Sequence, residues 1–256
     1  MNRVNAPDGT PLVFDAYEPA QAHIAVLFLH DWYPPGVSDR WTQIGAQLRS
    51  AGCAAYFLDL RGHGRSGGRR GHLSRFSQLL GDLQAFRRAV RQRHDVPQVL
   101  VGHGFGGLVV LRYLETQPGE PPTAAVVSGP WLASRSVVPV WKRMAARLAD
   151  LWPTLPTGRG GEYMTAGARA ELEWAQRAVL ADASRIEQPV LFLLGGADRV
   201  IDVEIARRLA TSLASRATIN WYPDLPHDLF DVQAVMDDLI GFTNTHRSLE
   251  SDPTRE

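Results

Sequence analysis

The sequence predicts an α/β fold built on a doubly wound, mainly parallel sheet. Short runs such as 24–29 and 98–101 are almost continuously apolar, which is typical of strands that are covered on both faces. These runs alternate with longer stretches in which apolar residues recur at helical spacing. A chain of 256 residues is long enough for one such domain, and we expect a single domain over residues 1–256.

The first half of the chain supplies most of this alternation. Residues 4–17 are predicted to form a hairpin, because Asp8-Gly9 is a typical two-residue turn. The following strands are expected at 23–29, 54–58, 98–101 and 124–127. Amphipathic helices are expected between them, at about 41–48, 73–90 and 105–117.

The alternation stops at Gly129, and residues 129–182 are interpreted as an insertion that contains a helix from Ala166 to Leu180. It resumes with strands at 190–194 and 218–221 and with helices at about 205–213 and 229–242. Residues 248–256 are polar and are expected to form a frayed tail.

Composition narrows the classes of function. Lys plus Arg and Asp plus Glu both total 27, so no strong charge favours nucleic acid as a partner. The single cysteine excludes an intramolecular disulfide, and neither a signal-peptide core nor a membrane-length apolar run is present. We therefore expect a cytoplasmic protein with no membrane span. No H-E-x-x-H motif or cysteine pair occurs, so neither a metal nor another cofactor is expected.

A glycine-dense turn, Gly102-His103-Gly104-Phe105-Gly106-Gly107, joins a predicted strand to a predicted helix. It differs by one residue from G-x-S-x-G, the nucleophile elbow of serine hydrolases, with Gly104 at the serine position. The turn also matches G-x-G-x-x-G, which binds dinucleotides. That motif belongs in the first βα turn, with an acid about 20 residues later. This turn follows at least three earlier strands and has no such acid, so we disfavour the nucleotide interpretation.

Asp198 and His227 each follow a later predicted strand, and side chains at the carboxyl ends of parallel strands collect at one edge of the sheet. A histidine can take a proton from a nucleophile, and a buried carboxylate fixes its tautomer. The chain order of elbow, acid and histidine is typical of α/β-hydrolases. The alternative for Asp198 is a helix N-cap, a role that suits Asp202 better.

These motifs, with His30 and the loop at 59–66, resemble α/β-hydrolases of the monoacylglycerol lipase and lysophospholipase type, in the serine aminopeptidase S33 family, over about residues 8–243. The resemblance implies an esterase that acts on a small-molecule fatty-acyl ester, with a helical lid formed by the insertion at 129–182. It also implies that Asp198 and His227 are the acid and the base. The backbone N–H groups of Trp32 and Phe105 would form the oxyanion hole.

Three features depart from the family. Gly104 replaces the nucleophilic serine, Asp31 replaces a glycine that usually follows the loop histidine, and the lid looks short. An ionised Asp31 near the oxyanion hole would oppose a developing oxyanion. The candidate pocket residues are His30, Asp31, His103, Trp131, Trp141 and Trp152. His103 could simply pack beside the elbow, and the three tryptophans could be lid core or the wall of an acyl pocket.

Gly104 leaves three explanations open. Glycine adopts the positive φ of an elbow freely, so the fold should survive the loss of the serine. The chain could be an engineered inactive variant, a natural relative that lost hydrolysis but still binds, or a slow enzyme in which His227 activates water in the vacated space. The retention of the elbow, Asp198 and His227 favours the engineered variant over natural loss. We predict an ester hydrolase with a disabled nucleophile. The alternative is a non-catalytic small-molecule-binding protein on the same scaffold. Oligomeric state is not readable from the sequence.

Overall fold

The computed structural model describes residues 2–33, 39–116, 119–135, 154 and 164–247. The middle of the predicted lid, with Trp141 and Trp152, and the predicted tail at 248–256 lie outside these residues. The described chain contains an eight-stranded sheet with helices on both faces, as predicted.

The sheet begins with an antiparallel hairpin and is otherwise mainly parallel. Its strands are β1 (Asn2–Asn5), β2 (Pro11–Tyr17), β3 (Ile24–Leu29), β4 (Cys53–Asp59), β5 (Gln98–His103), β6 (Ala124–Ser128), β7 (Val190–Gly195) and β8 (Ala217–Tyr222). Their order across the sheet is β1-β2-β4-β3-β5-β6-β7-β8, and β3 to β8 all run in the same direction. The predicted hairpin is present, and Gly9 adopts a φ of 82° in its turn. Its second strand, β2, also pairs antiparallel with β4, and all the other strand pairs of the sheet are parallel.

Six α-helices cover the sheet among the residues that the structure describes. They are α1 (Asp39–Ser50), α2 (Phe76–Arg93), α3 (Phe105–Thr116), α4 (Ala166–Asp182), α5 (Val203–Ser212) and α6 (Gln233–Thr245). Buried residues of α1 and α6 share one core cluster, and those of the other four helices share a second cluster on the opposite face. In the described part of the chain, no helix is long and apolar enough to cross a membrane.

Two helix starts differ from the sequence prediction. Leu73 is buried, but α2 begins at Phe76, and Leu229 is buried, but α6 begins at Gln233. Apolar periodicity reports which side chains are buried. A loop that packs against the core therefore extends the apparent helix without adopting helical backbone.

The strand order reverses next to β3, which places a crevice at the carboxyl ends of β3 and β5. β4 pairs with one edge of β3 and β5 pairs with the other, so the loops after β3 and β5 leave side by side. Leu29 is the register partner of Gly102, and Asp31 and Gly104 lie two residues beyond that pair. In open α/β sheets this crevice is where ligands bind.

Candidate active site

The elbow between β5 and α3 has the backbone that its sequence predicts. Gly104 adopts a φ of 54°, in the left-handed region that glycine enters without strain. Its N–H donates to the carbonyl of Ser128 at 3.0 Å, and its carbonyl accepts from the N–H of Trp131 at 2.9 Å. These bonds tie the turn to the segment that follows β6, so its shape does not depend on a side chain at position 104.

Asp198 and His227 come together across the ends of β7 and β8. Nδ1 of His227 lies 2.7 Å from Oδ2 of Asp198. The other carboxylate oxygen of Asp198 accepts backbone N–H bonds from Val200 at 2.7 Å and Ile201 at 3.0 Å. Asp198 is fully buried, and its carboxylate is therefore held in place to orient the imidazole ring.

Asp202, which suited a capping role better than Asp198 did, is the N-cap residue of α5. Its side chain accepts the N–H of Glu204 at 3.1 Å. The two nearby aspartates therefore have different partners, as the sequence suggested.

The side chain of Asp31 reaches from the loop after β3 to the elbow. Its Oδ1 accepts the N–H of Phe105 at 2.6 Å and the N–H of Trp32 at 2.7 Å. The two N–H groups that the resemblance assigned to an oxyanion hole thus converge on a single oxygen atom. That oxygen belongs to the protein itself, so Asp31 occupies this position instead of lying beside it.

Gly104 makes this arrangement possible. A Cβ placed on Gly104 would lie 2.2 Å from Cγ and 2.3 Å from Oδ1 of Asp31, far inside van der Waals contact. The Asp31 carboxyl group therefore takes up the space of the missing side chain. In this conformation the carboxyl group fills the space in which the slow-enzyme explanation places a water molecule.

The second oxygen of Asp31 faces the histidine. Its Oδ2 lies 3.3 Å from Nε2 of His227, so the ring stands between two carboxylates. Burial alone would lower the pKa of His227, but hydrogen bonds and charges from Asp198 and Asp31 outweigh it and raise the pKa to about 10. The same contacts outweigh burial and lower the pKa of both carboxyl groups. At neutral pH His227 is an imidazolium that has no lone pair to accept a proton.

His30 supports the loop that carries Asp31. It is buried, its Nδ1 donates to the carbonyl of Asp31 at 2.5 Å, and its Nε2 accepts the N–H of Leu60 at 3.1 Å. Burial lowers the pKa of His30, so the ring is neutral, in agreement with one donating and one accepting nitrogen. Both nitrogens have backbone partners, which indicates a structural role for His30, and its role as a pocket residue stays a prediction.

The loop at 59–66 also has structural contacts. Arg65 Nε donates to the fully buried Asp59 at 2.7 Å, and Ser66 Oγ donates to the Asp59 carbonyl at 2.5 Å. The ring of His63 packs on that of Trp32, with 4.7 Å between ring centroids. The loop thereby helps to position the Trp32 N–H.

His103 packs beside the elbow, against the ring of His227, with centroids 4.7 Å apart. Its Nδ1 lies 3.2 Å from both the carbonyl and the hydroxyl oxygen of Ser128, and its Nε2 lies 3.1 Å from Oδ1 of Asp228. Sequence reasoning overlooked Asp228 and Ser128. Asp228 directly follows His227 and Ser128 ends β6, and these positions are the signals that could have indicated them.

Trp131 is the one predicted pocket tryptophan among the described residues, since Trp141 and Trp152 lie outside them. It is partly buried and packs against the main core cluster, and its indole N–H donates to Ser134 Oγ at 2.9 Å. Its carbonyl accepts from the Gln176 side chain on α4 at 3.0 Å. These contacts fit a structural residue next to the elbow, and they leave a role in an acyl pocket as a prediction.

The fold and the positions of the site define an α/β-hydrolase. Residues 35–166 and 159–233 match the model of the Hydrolase_4 family, described as serine aminopeptidase, S33. This match spans more than half of the chain, so the chain belongs to that family of α/β-hydrolases.

Curated relatives point to the esterase and lipase branch. The chain is 29% identical to a monoacylglycerol lipase from Mycolicibacterium smegmatis, over 93% of this chain and 94% of that protein. It is 22% identical to the bifunctional esterase/perhydrolase DCH from Acinetobacter calcoaceticus, over 94% of this chain and 99% of that protein. The chain is therefore a monoacylglycerol lipase-like α/β-hydrolase.

Solved structures support the same fold. A soluble variant of monoglyceride lipase from Saccharomyces cerevisiae superposes with a TM-score of 0.80 at 16% identity and covers 96% of this chain and 95% of its own. A monoacylglycerol lipase from Paleococcus ferrophilus gives a TM-score of 0.76 at 22% identity and covers 92% of this chain and 99% of its own.

Proposed function

We propose that this chain is an ester-hydrolase scaffold of the monoacylglycerol lipase type in which serine-based hydrolysis is disabled by two coupled substitutions. The observation that carries the proposal is the Asp31 carboxylate, which accepts the N–H groups of both Trp32 and Phe105. Gly104 is the first substitution and Asp31 is the second. In this proposal Asp198 and His227 are the acid and base of the ancestral triad.

Serine hydrolysis needs a nucleophile, a base that is free to take its proton, and free donors for the oxyanion. Gly104 has no side-chain oxygen. His227 already holds a proton between Asp31 and Asp198. Both oxyanion donors are engaged by Asp31. All three requirements fail together, which supports a site that does not turn over esters.

Asp31 and position 104 are in direct contact. A serine at 104 would require the Asp31 side chain to move, because a Cβ there lies 2.2 Å from Asp31 Cγ in its present position. The two positions are therefore tested together.

The test is to restore the serine with and without removal of Asp31. Gly104→Ser alone is expected to leave hydrolysis of a chromogenic short-chain ester at background. Asp31→Gly with Gly104→Ser frees the N–H pair, provides the hydroxyl and releases His227 from one of its two carboxylates. We expect kcat/KM to rise about 10³-fold or more over the unmodified chain.

The matched control is Asp31→Gly with Gly104→Ala, which frees the N–H pair without adding a nucleophile and should stay at background. A large gain from Gly104→Ser alone would show that Asp31 does not block the site, and would favour a single lost serine. Background activity in the folded double variant would contradict the assignment of an ancestral esterase site.

The second candidate function is binding of a small acyl ester without turnover, favoured by the retention of the ordered elbow backbone and the Asp198–His227 pair. We expect the unmodified chain to bind a monoacylglycerol in isothermal titration calorimetry, with no free fatty acid in mass spectra of the mixture after overnight incubation. Release of fatty acid well above a protein-free blank would refute binding without turnover.

A further inference from the structure

Three metal-ligating side chains meet at the crevice. Each of Asp31, His103 and His227 offers one ligand atom, and these atoms all lie within 4.8 Å of one another. Within the part of the chain that the structure describes, this is the one group of three His, Cys, Asp or Glu side chains that converges so closely. Two histidines and one carboxylate form a donor set that suits divalent transition metals.

Each of the three side chains is hydrogen-bonded through the atom that points away from the other two side chains. Nδ1 of His227 is bonded to Asp198, which leaves Nε2 toward Asp31. Oδ1 of Asp31 is held by two backbone N–H groups, which leaves Oδ2 toward His227. Metal-binding histidines usually donate their second nitrogen to a carboxylate or a carbonyl, and metal-binding carboxylates are also hydrogen-bonded.

His103 follows the same pattern. Its Nδ1 faces the Ser128 carbonyl, and its Nε2 is directed away from it toward Asp228. A cation that binds His103 through Nε2 would take over the position that Asp228 now contacts. Oδ1 of Asp228 lies 3.1 Å from that nitrogen and is therefore close enough to compensate part of the charge of the ion.

The separation of the central pair fits a small tetrahedral ion. Two ligands of zinc at about 2.0–2.1 Å lie about 3.3–3.4 Å apart in tetrahedral geometry. Nε2 of His227 and Oδ2 of Asp31 are 3.3 Å apart. A Cβ on residue 104 would overlap the Asp31 carboxyl group in its present position, so glycine leaves the room that this arrangement needs.

We propose that Asp31, His103 and His227 form a binding site for a divalent transition-metal ion of the zinc type, with solvent completing the coordination. The ion replaces the proton that His227 and Asp31 now share. The sequence predicted no metal because no local motif is present, whereas these ligands are brought together from three strand ends. The site does not rest on the proposed function, since metal binding is measured without any ester.

The test is calorimetric titration of Zn²⁺ into the tag-free chain after treatment with a chelator. We expect one ion per chain with a dissociation constant in the micromolar range or tighter. Asp31→Ala and His227→Ala should each weaken binding by about 100-fold or abolish it, and Asp198→Asn should weaken it by about 10–100-fold through its effect on His227. Co²⁺ should give a visible absorption spectrum that His227→Ala removes.

The matched control is His246→Ala, since His246 lies at the end of α6 and pairs with Thr245 and Phe242 instead of the site. It should bind Zn²⁺ like the unmodified chain. Thermal melting of each variant separates loss of a ligand from loss of the fold, and Asp31→Gly is a second variant at the same position. The proposal is overturned if no ion binds, or if binding is equal in the folded Asp31 and His227 variants.

Discussion

The site has two halves that have diverged from the family to very different extents. The acid–histidine half consists of Asp198 and His227, which pair at 2.7 Å in the arrangement that the family resemblance implies. The nucleophile half consists of Gly104, Asp31 and the N–H groups of Trp32 and Phe105. Its backbone matches the resemblance, but its two side chains do not. The difference shows that a fold can keep the backbone of a site while the group that fills it changes.

The physical reason is that the backbone of the nucleophile half is fixed from outside. The N–H groups of Trp32 and Phe105 are positioned by the loop after β3 and by the start of α3, and His30 and the 59–66 loop support the first of these. Two converging N–H groups favour any anion of the right size. With glycine at position 104, the carboxylate of Asp31 from the neighbouring loop is that anion.

The largest effect is expected when Asp198 or His227 is substituted in the double variant that restores the serine. Asp198→Asn or His227→Ala, added to Asp31→Gly with Gly104→Ser, should reduce kcat/KM by about 10³–10⁴-fold, because the histidine loses its orientation or is absent. Steady-state hydrolysis of the same chromogenic ester measures the loss.

The control for that experiment is Asp202→Asn, which changes the capping aspartate four residues from Asp198 and should alter kcat/KM by less than about twofold. If the chain with His227→Ala kept most of the restored activity, the assignment of the base would be wrong.

The second effect tests whether the nucleophile half is a coupled unit. Gly104→Ala should lower the free energy of unfolding by about 2–4 kcal/mol. The alanine has to adopt a positive φ, and its Cβ overlaps the Asp31 side chain in its present position. Addition of Asp31→Gly removes the collision and should recover about 1–3 kcal/mol of that loss, leaving the backbone strain. Urea unfolding of the four chains in this double-mutant cycle measures the coupling. Strict additivity would contradict the observed contact.

The smallest effect concerns a buried carboxyl group outside the site, whose pKa is compared with that of His227. Glu115, on the same helix that begins at the elbow, is buried and pairs with Arg112 at 2.7 Å through one oxygen. Burial outweighs this partner and raises the pKa of Glu115 to about 7, whereas two partners outweigh burial at His227. The folded chain therefore holds a proton on Glu115 at pH values where the unfolded chain has released it.

This linkage predicts a loss of stability as the pH rises. The contribution of Glu115 to the free energy of unfolding is greatest below its unfolded pKa of about 4.5. It falls as the pH increases to about 7 and is lost above that. Urea unfolding at pH 5 and pH 8 should differ by about 1–3 kcal/mol more in the unmodified chain than in Glu115→Gln. The exposed Glu204→Gln is the control, and an unchanged pH dependence in Glu115→Gln would refute the prediction.

Much of this protein was determined by local sequence. The apolar runs of β3 and β5 and the turn residues between elements specified the sheet, because burial on both faces requires such runs whatever lies next to them. The elbow motif predicted a turn in which Gly104 provides no side-chain oxygen, and the order of the elbow, Asp198 and His227 predicted the acid–histidine half. The starts of α2 and α6 were misplaced, because buried loop residues such as Leu73 and Leu229 imitate helical periodicity.

Only the tertiary structure decided what occupies the nucleophile half. Asp31 and Gly104 are 73 positions apart (104 minus 31), and they meet because β3 pairs with β5 in the register that joins Leu29 to Gly102. The direction of the Asp31 side chain then depends on two N–H groups and on His227, which belong to three separate elements. A sequence specifies which groups are present, but the distance between charges on different strand ends is a property of strand pairing.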